Sequence, residues 1–221
     1  MIVTIDGPAG AGKSTVTRLL AKELGFEFLD TGAMYRAVTW AAVQRGIEWS
    51  EQTALCDLAK QIKIEFDDDQ VFVDGENVTQ AIRLPDITRQ VVFVADAAEV
   101  RSHLVELQRR IGESGDFVCE GRDQGSVAFP DSFCKIFLTA SSQSRALRRV
   151  RQMEAAGKFV DFDQVLREQE TRDQQDLNRE VGALVKATDA IEIHTDNQTL
   201  DEVVKELLAI VQQRLAGAER S

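Results

Sequence analysis

The residues with the plainest chemical purpose are Gly7-Pro8-Ala9-Gly10-Ala11-Gly12-Lys13-Ser14, which fit G-x-x-x-x-G-K-[ST] and directly follow the apolar run Ile2-Val3-Thr4-Ile5. A buried strand that ends in a glycine-rich turn and opens a helix points unpaired backbone N–H groups at an anion, with the helix dipole behind them. The chemistry is that of holding a phosphate chain. Lys13 is expected to reach the β- and γ-phosphates of a nucleoside triphosphate, and the Ser14 hydroxyl to hold Mg²⁺.

Switches, motors and small-molecule kinases all use such a loop, so other residues must reveal the acceptor. Phosphoryl transfer asks for in-line placement, neutralised charge and exclusion of water. Arg172, Asp176 and Arg179, spaced i, i+4 and i+7, share one face of a helix. Two guanidinium groups braced by one carboxylate could clamp a transferring phosphoryl group; a surface ion-pair stripe has the same spacing. Arg145, Arg148 and Arg149 also share a helical face, either to stack on an adenine ring or contact phosphates, or as a solvated face.

Two further stretches carry polar groups where a ligand is expected. Asp30-Thr31-Gly32-Ala33-Met34-Tyr35-Arg36 follows the second strand and starts a helix. Thr31 and Arg36 can bind phosphate oxygens there, and Tyr35 offers a ring or hydroxyl. Glu120-Gly121-Arg122-Asp123 ends the strand Phe117 to Cys119, the edge at which parallel sheets bind ligands. An acid here is either a Mg²⁺ ligand or an acceptor for a base amino group, and residue chemistry alone leaves both open.

Stepping from these groups to the elements that must place them, the apolar runs Phe26 to Leu29, Phe117 to Cys119, Lys135 to Leu138 and Ile191 to His194 alternate with amphipathic helices. With Ile2 to Ile5 they predict an α/β fold, a doubly wound, mainly parallel sheet with helices on both faces. Val16, Leu19, Leu20 and Leu24 mark the helix after the phosphate loop, with Gly25 as its stop, and Leu200 to Leu215 closes the core. Ile62 to Phe66 and Val71 to Val73, separated by Asp67-Asp68-Asp69-Gln70 and ended by Asp74-Gly75, predict an inserted antiparallel hairpin whose acidic loop is a solvated turn. Ser142 to Arg179 reads as long and helical, and the tail Ala216 to Ser221 as frayed.

At 221 residues the chain is expected to form one domain with insertions. Its net charge of -11 argues against a broadly basic face for nucleic-acid polymers, so anionic ligands must meet clustered arginines. No apolar run is long enough to span a bilayer, which leads to an expected cytoplasmic location. Cys56, Cys119 and Cys134 have no metal-ligand spacing and are expected as buried thiols, while His103 and His194 are expected to be structural or exposed.

These residues resemble the bacterial cytidylate kinases of the nucleoside monophosphate kinase group over nearly the whole chain. The likeness rests on Ile5 to Thr15, Asp30 to Arg36, Val73-Asp74-Gly75-Glu76-Asn77-Val78-Thr79 leading to Ile82-Arg83, Glu120 to Asp123, Phe129-Pro130-Asp131 and Lys135 to Leu138. The hairpin insert separates this family from adenylate and guanylate kinases. The resemblance implies ATP-dependent phosphorylation of CMP and dCMP, with Mg²⁺, by a monomer. It implies a core of residues 1–30, 101–150 and 180–221, an acceptor-binding region at 31–100 and a lid at 151–179.

By the same resemblance Gly7, Pro8, Ala9, Gly10, Ala11, Gly12, Lys13, Ser14, Thr15 and Arg148 bind ATP. Thr31, Tyr35, Arg36, Arg101, Arg122, Asp123, Arg172, Asp176 and Arg179 line the acceptor site. Asp123 and Arg101 then lie at the pyrimidine, Asp176 at the sugar, and Arg36, Arg122, Arg172 and Arg179 mainly at the phosphate. Lys13, Arg122, Arg172 and Arg179 act on the transferring group, and Asp123 is not the principal metal ligand. A carboxylate accepts from the cytosine amino group and repels the uracil carbonyl, so Asp123 is the expected base reader. The chain departs from the family at Val92, where Val-Ser-x-Val-Ala places a serine near the base, and at Gln175 and Leu177, where the lid is less basic. Rival readings are a kinase for UMP or a non-nucleotide acceptor, and a nucleotide switch; Asn-Lys-x-Asp, the guanine motif, is absent.

Overall fold

The computed structural model describes residues 1–67 and 69–218. Asp68, at the centre of the acidic turn, and Glu219 to Ser221 of the tail lie outside the described residues. In order, the first elements are β1 (Ile2–Asp6), α1 (Lys13–Leu24), β2 (Glu27–Asp30), α2 (Thr31–Gln44), α3 (Gln52–Gln61), β3 (Ile64–Asp67), β4 (Gln70–Val73) and β5 (Glu76–Asn77). A 3-10 turn at Ala81–Arg83 leads to α4 (Pro85–Asp96), α5 (Ala98–Gly112) and β6 (Phe117–Gly121). A π-helical turn at Gln124–Ala128 then precedes β7 (Cys134–Thr139), α6 (Ser142–Ala155), α7 (Phe162–Leu177), β8 (Ile191–His194) and α8 (Leu200–Ala218). The chain forms two compact units, one of Met1–Leu29 with Gly115 onward and one of Asp30–Ser114.

The first unit is built on a five-stranded sheet of order β2-β6-β1-β7-β8. β1 runs parallel to β6 and β7, and β7 parallel to β8, so the strand that ends at the phosphate loop is central. Central strands of such a sheet are covered on both faces, and Val3 and Ile5 are accordingly buried with Val118, Ile136 and Leu138. α1 adds Val16 and Leu20 to this core and stops where Gly25 takes a left-handed φ of 70°. α8 adds Val203, Leu207 and Val211, and its helix continues past Ala216, where fraying was expected, to Ala218.

The second unit carries the hairpin. β3 pairs antiparallel with β4, Ile64 opposite Val73 and Asp67 opposite Gln70, and β4 pairs with the short β5. Asp74, with φ 51°, and Gly75, with φ 83°, form the turn between them, the left-handed pair an Asp-Gly turn calls for. α2 packs on β4, and α3, α4 and α5 pack on α2, with Pro85 in the first turn of α4, where its missing N–H costs nothing. All three cysteines are buried thiols.

Candidate active site

The phosphate loop leaves β1 at Asp6 and enters α1 at Lys13. Gly7, with φ 148°, has no room for a side chain, since a Cβ would run into the Leu138 carbonyl of β7. Gly12 precedes α1 with φ 93°, and no side chain caps that helix, which leaves its first N–H groups available to an anion. Ser14 is exposed on this first turn. Lys13 is buried, and its Nζ donates to the carbonyls of Gly7 and Pro8, each at 2.8 Å. Burial, followed by the nearby Arg122 cation, pulls the ammonium well below the ordinary lysine range, against the attraction of Glu120 and Asp6.

Asp6 holds the floor of this loop. Its carboxylate accepts from the backbone N–H of Gln124 at 2.9 Å and of Gly125 at 2.8 Å, tying the π-helical turn after β6 to the end of β1. Burial pushes its pKa up to about 6 in spite of these two bonds, with the negative charge of Asp123 adding to the rise. Gly125 permits the approach, because a Cβ there would press on Thr4 and Lys135.

Arg122 and Asp123 link β6 to the π-helical turn, Asp123 being only 4% exposed. Arg122 Nε donates to Asp176 Oδ2 at 2.8 Å, and Arg179 Nη2 donates to Asp176 Oδ1 at 3.1 Å. The brace forms with Arg179, as spacing indicated, and takes in Arg122, which spacing did not. α7 ends at Leu177, so Arg179 is not on the helical face and instead reaches Asp176 from beyond the helix end. Its partner across the carboxylate is Arg122, fifty-four residues earlier in sequence, with Arg172 a charged neighbour of Asp176. Burial raises the Asp176 pKa, and the charge and hydrogen bond of Arg122, with Arg172 and Arg179, outweigh it, leaving the carboxyl below the ordinary range.

The solvated-face reading of Arg145 and Arg148 is corrected. Arg145 is buried, donating from Nε to Ala140 O at 3.0 Å and from Nη1 to Ala9 O at 2.9 Å, with Nη2 2.6 Å from Asp173 Oδ2. Arg148 Nη1 donates to Thr195 Oγ1 at 2.9 Å and to Ala11 O at 3.3 Å. Arg149 alone of the three is exposed. Spacing placed them on one face, but α6 turns that face toward the phosphate loop and the end of β8.

Within the second unit, the α2 end collects the remaining expected residues. Asp30 caps α2 by accepting from Ala33 N at 2.8 Å, and its other oxygen accepts from Arg36 Nη2 at 2.9 Å with Arg83 3.6 Å away. Thr31 is buried at the first helical position. Arg101, 4% exposed, places its guanidinium over the Tyr35 ring at 5.4 Å. Val92 is half-buried on α4, and the neighbouring Phe93 stacks on Trp49 at 5.2 Å.

Residue-by-residue reading missed Asp6, Asp30, Thr195 and Gln169 as parts of this machinery. Gln169 Nε2 donates to Ala9 O at 3.1 Å, directly on the phosphate loop. Asp6, next to Gly7, and Asp30, before a helix, had positional signals that could have found them. Gln169 and Thr195 had none, because their partners lie far away in sequence.

The chain is also similar to known proteins along nearly its whole length. A family model described as cytidylate kinase matches residues 3–213. The cytidylate kinase of Rhodopirellula baltica is 47% identical over 213 residues, covering 96% of this chain and 93% of the relative. That of Pelotomaculum thermopropionicum is 47% identical over 214 residues, covering 95% of each. The bifunctional pantoate ligase/cytidylate kinase of Synechococcus elongatus is 44% identical over 225 residues, covering 98% of this chain, which spans 43% of that relative's length. Among solved structures, an uncharacterized protein from Eubacterium ventriosum shares the fold with a TM-score of 0.53 at 13% identity, covering 96% of this chain and 98% of that one. This chain belongs to the cytidylate kinase family.

Proposed function

We propose that the chain transfers the γ-phosphoryl of ATP to CMP or dCMP, and that the residues described above divide the work as follows. Gly7 to Thr15 and Arg148 hold the triphosphate, with Lys13 neutralising charge on the transferring group. An anion beside Lys13 restores the ammonium that burial disfavours, so binding recruits its charge where it is needed. The acceptor phosphate oxygen is already anionic near neutral pH, and no general base is required. Arg122, Arg172 and Arg179 stabilise the charge that develops during transfer, and Asp176 keeps Arg122 and Arg179 aimed and contacts the sugar.

Thr31, Tyr35, Arg36 and Arg101 serve the acceptor, and Asp123 reads the cytosine amino group. Residues 31–100 act as the acceptor-binding region and 151–179 as a lid on the core of 1–30, 101–150 and 180–221. The donors present suit Mg²⁺: an exposed Ser14 hydroxyl is a hard oxygen ligand, and this ion is commonly held by one or two protein groups together with substrate phosphates. When bound, it supplies charge neutralisation at the phosphates. The chain acts as a cytoplasmic monomer with no nucleic-acid polymer or membrane as partner; among the described residues no helix is long and apolar enough to cross a membrane.

The observation that carries the reading is the family match over residues 3–213, which spans the phosphate loop, Arg122-Asp123 and the Asp176 brace together. A coupled assay with CMP, dCMP, UMP, AMP and shikimate tests it. CMP and dCMP are expected as the best acceptors, and a CMP rate below the others would overturn the assignment. Val92 favours one secondary reading, a measurable rate with UMP, because a valine supplies no hydroxyl to the base.

A further inference from the structure

α7 presents one face to the phosphate loop and its surroundings. Gln169, Arg172, Asp173 and Asp176 are spaced i, i+3, i+4 and i+7, so they lie along a single stripe. Two of its carboxylates are ionically tied, Asp173 to Arg145 and Asp176 to Arg122 and Arg179. The first rung is different: Gln169, 9% exposed, donates its neutral amide to the carbonyl of Ala9, which also accepts from Arg145.

The next residue of the loop responds to this contact. Gly10 occupies a free x position of G-x-x-x-x-G-K-[ST], so the phosphate pattern does not ask for glycine there. It nonetheless has φ 79°, and a Cβ built on it would run into Gln169 Nε2 and crowd Arg145 Cβ. Any larger residue must push the Gln169 amide off Ala9.

We propose that Gln169 is a positioning residue for the transfer reaction, a latch whose amide seats α7 on the phosphate loop, and that Gly10 is glycine to let that latch close. The inference rests on the proposed kinase reaction and deepens it. Seating α7 at Ala9 fixes the turn of helix that carries Arg172 and, one turn further on, Asp176. A misplaced clamp loses more rate than acceptor affinity, because its charge contacts strengthen as the phosphoryl group moves.

The test uses Gln169→Leu, which keeps volume and removes the amide, and Gly10→Ala alone and in a Gln169→Ala background. At saturating ATP and CMP, Gln169→Leu is expected to lower kcat roughly five- to tenfold, the size of one neutral hydrogen bond, with KM for CMP within about twofold. Backbone amides of α7 are expected to exchange hydrogen faster in Gln169→Leu while those of β1 and β7 keep their rates. Gly10→Ala is expected to cost less activity in the Gln169→Ala background than in the unaltered chain. Unchanged exchange in α7, or equal Gly10→Ala costs in both backgrounds, overturns the proposal. The exchange measurement needs no nucleotide, so failure of the latch is distinguishable from failure of the assigned reaction, which the unaltered chain's turnover of CMP reports.

Discussion

The phosphate loop and the α7 face that meets it are built on opposite plans. The loop works through backbone: Gly7 and Gly12 supply left-handed turns, the uncapped start of α1 supplies N–H groups, and only Lys13 and Ser14 contribute side chains. The α7 face works through side chains, Gln169, Asp173 and Asp176, each bound to a partner remote in sequence. A backbone-made site depends on a contiguous run of residues, and a side-chain-made one depends on the whole fold. Substitutions should therefore separate the two: at Lys13 they should cut chemistry most deeply, and along α7 they should grade it.

The largest effect is expected at Lys13. Lys13→Met should lower kcat by about 10²- to 10³-fold, as removal of a charge-stabilising donor does. Stability should move the other way. The folded-state pKa of Lys13 lies below the ordinary 10.5, so the unfolded chain binds more protons, and the group subtracts stability at neutral pH, a deficit that fades as pH rises toward 10.5. Lys13→Met removes that deficit, and thermal melts at pH 7 should show a higher Tm alongside the lowered kcat; a lower Tm would mean that the Gly7 and Pro8 contacts outweigh the burial of charge.

Next comes Asp176→Asn, which frees Arg122 and Arg179 from their shared carboxylate. Turnover should fall by roughly 10²-fold, the scale of a small misplacement of catalytic groups. Because the Asp176 pKa is held below its ordinary 3.8, its stabilising contribution is complete above that value and is lost as pH falls through the lowered one. The variant should thus start less stable at neutral pH and show a shallower acid-unfolding curve below about pH 4. Identical curves would place the brace outside the stability of the fold.

Loop and clamp differ equally in how far the sequence announces them. Gly7 to Ser14 could be read whole, as could the order of alternating strands and helices, since glycine turns, an apolar strand and a helix stop at Gly25 are local signals. The hairpin was legible for the same reason, through Asp74-Gly75. The clamp was legible only in part. Spacing put Arg172, Asp176 and Arg179 on one helix, whereas α7 ends at Leu177 and the brace is completed by Arg122 from the end of β6. Helix ends are set by competition among caps, tertiary contacts and solvent, so periodicity alone places them poorly. Arg145 and Arg148 show the limit again, since a periodic arginine face does not say whether solvent or another backbone lies opposite it.

Smaller effects are expected at the base. Asp123→Ala should narrow the CMP-over-UMP ratio of kcat/KM by roughly 10- to 100-fold, since it removes both the acceptor for an amino group and the repulsion of a carbonyl. An unaltered ratio would show that the base is read elsewhere. Val92→Ser should widen the same ratio by roughly two- to tenfold, the span of a single neutral hydrogen bond. An unchanged ratio would mean that the hydroxyl has nothing to bond.

The central place of β1 has a consequence for how the chain is made. Its two sheet partners, β6 and β7, begin at Phe117 and Cys134, while the second unit occupies an unbroken stretch from Asp30 to Ser114, between β1 and β6. A ribosome therefore delivers the whole of that unit before the first strand can find either neighbour. The amino terminus must wait, its apolar residues unpaired, until the carboxy-terminal half emerges. Loop-closure entropy rises only slowly with the length of the intervening chain, so a large insertion at this point adds little to the eventual cost of closing the sheet, and most of its burden is time.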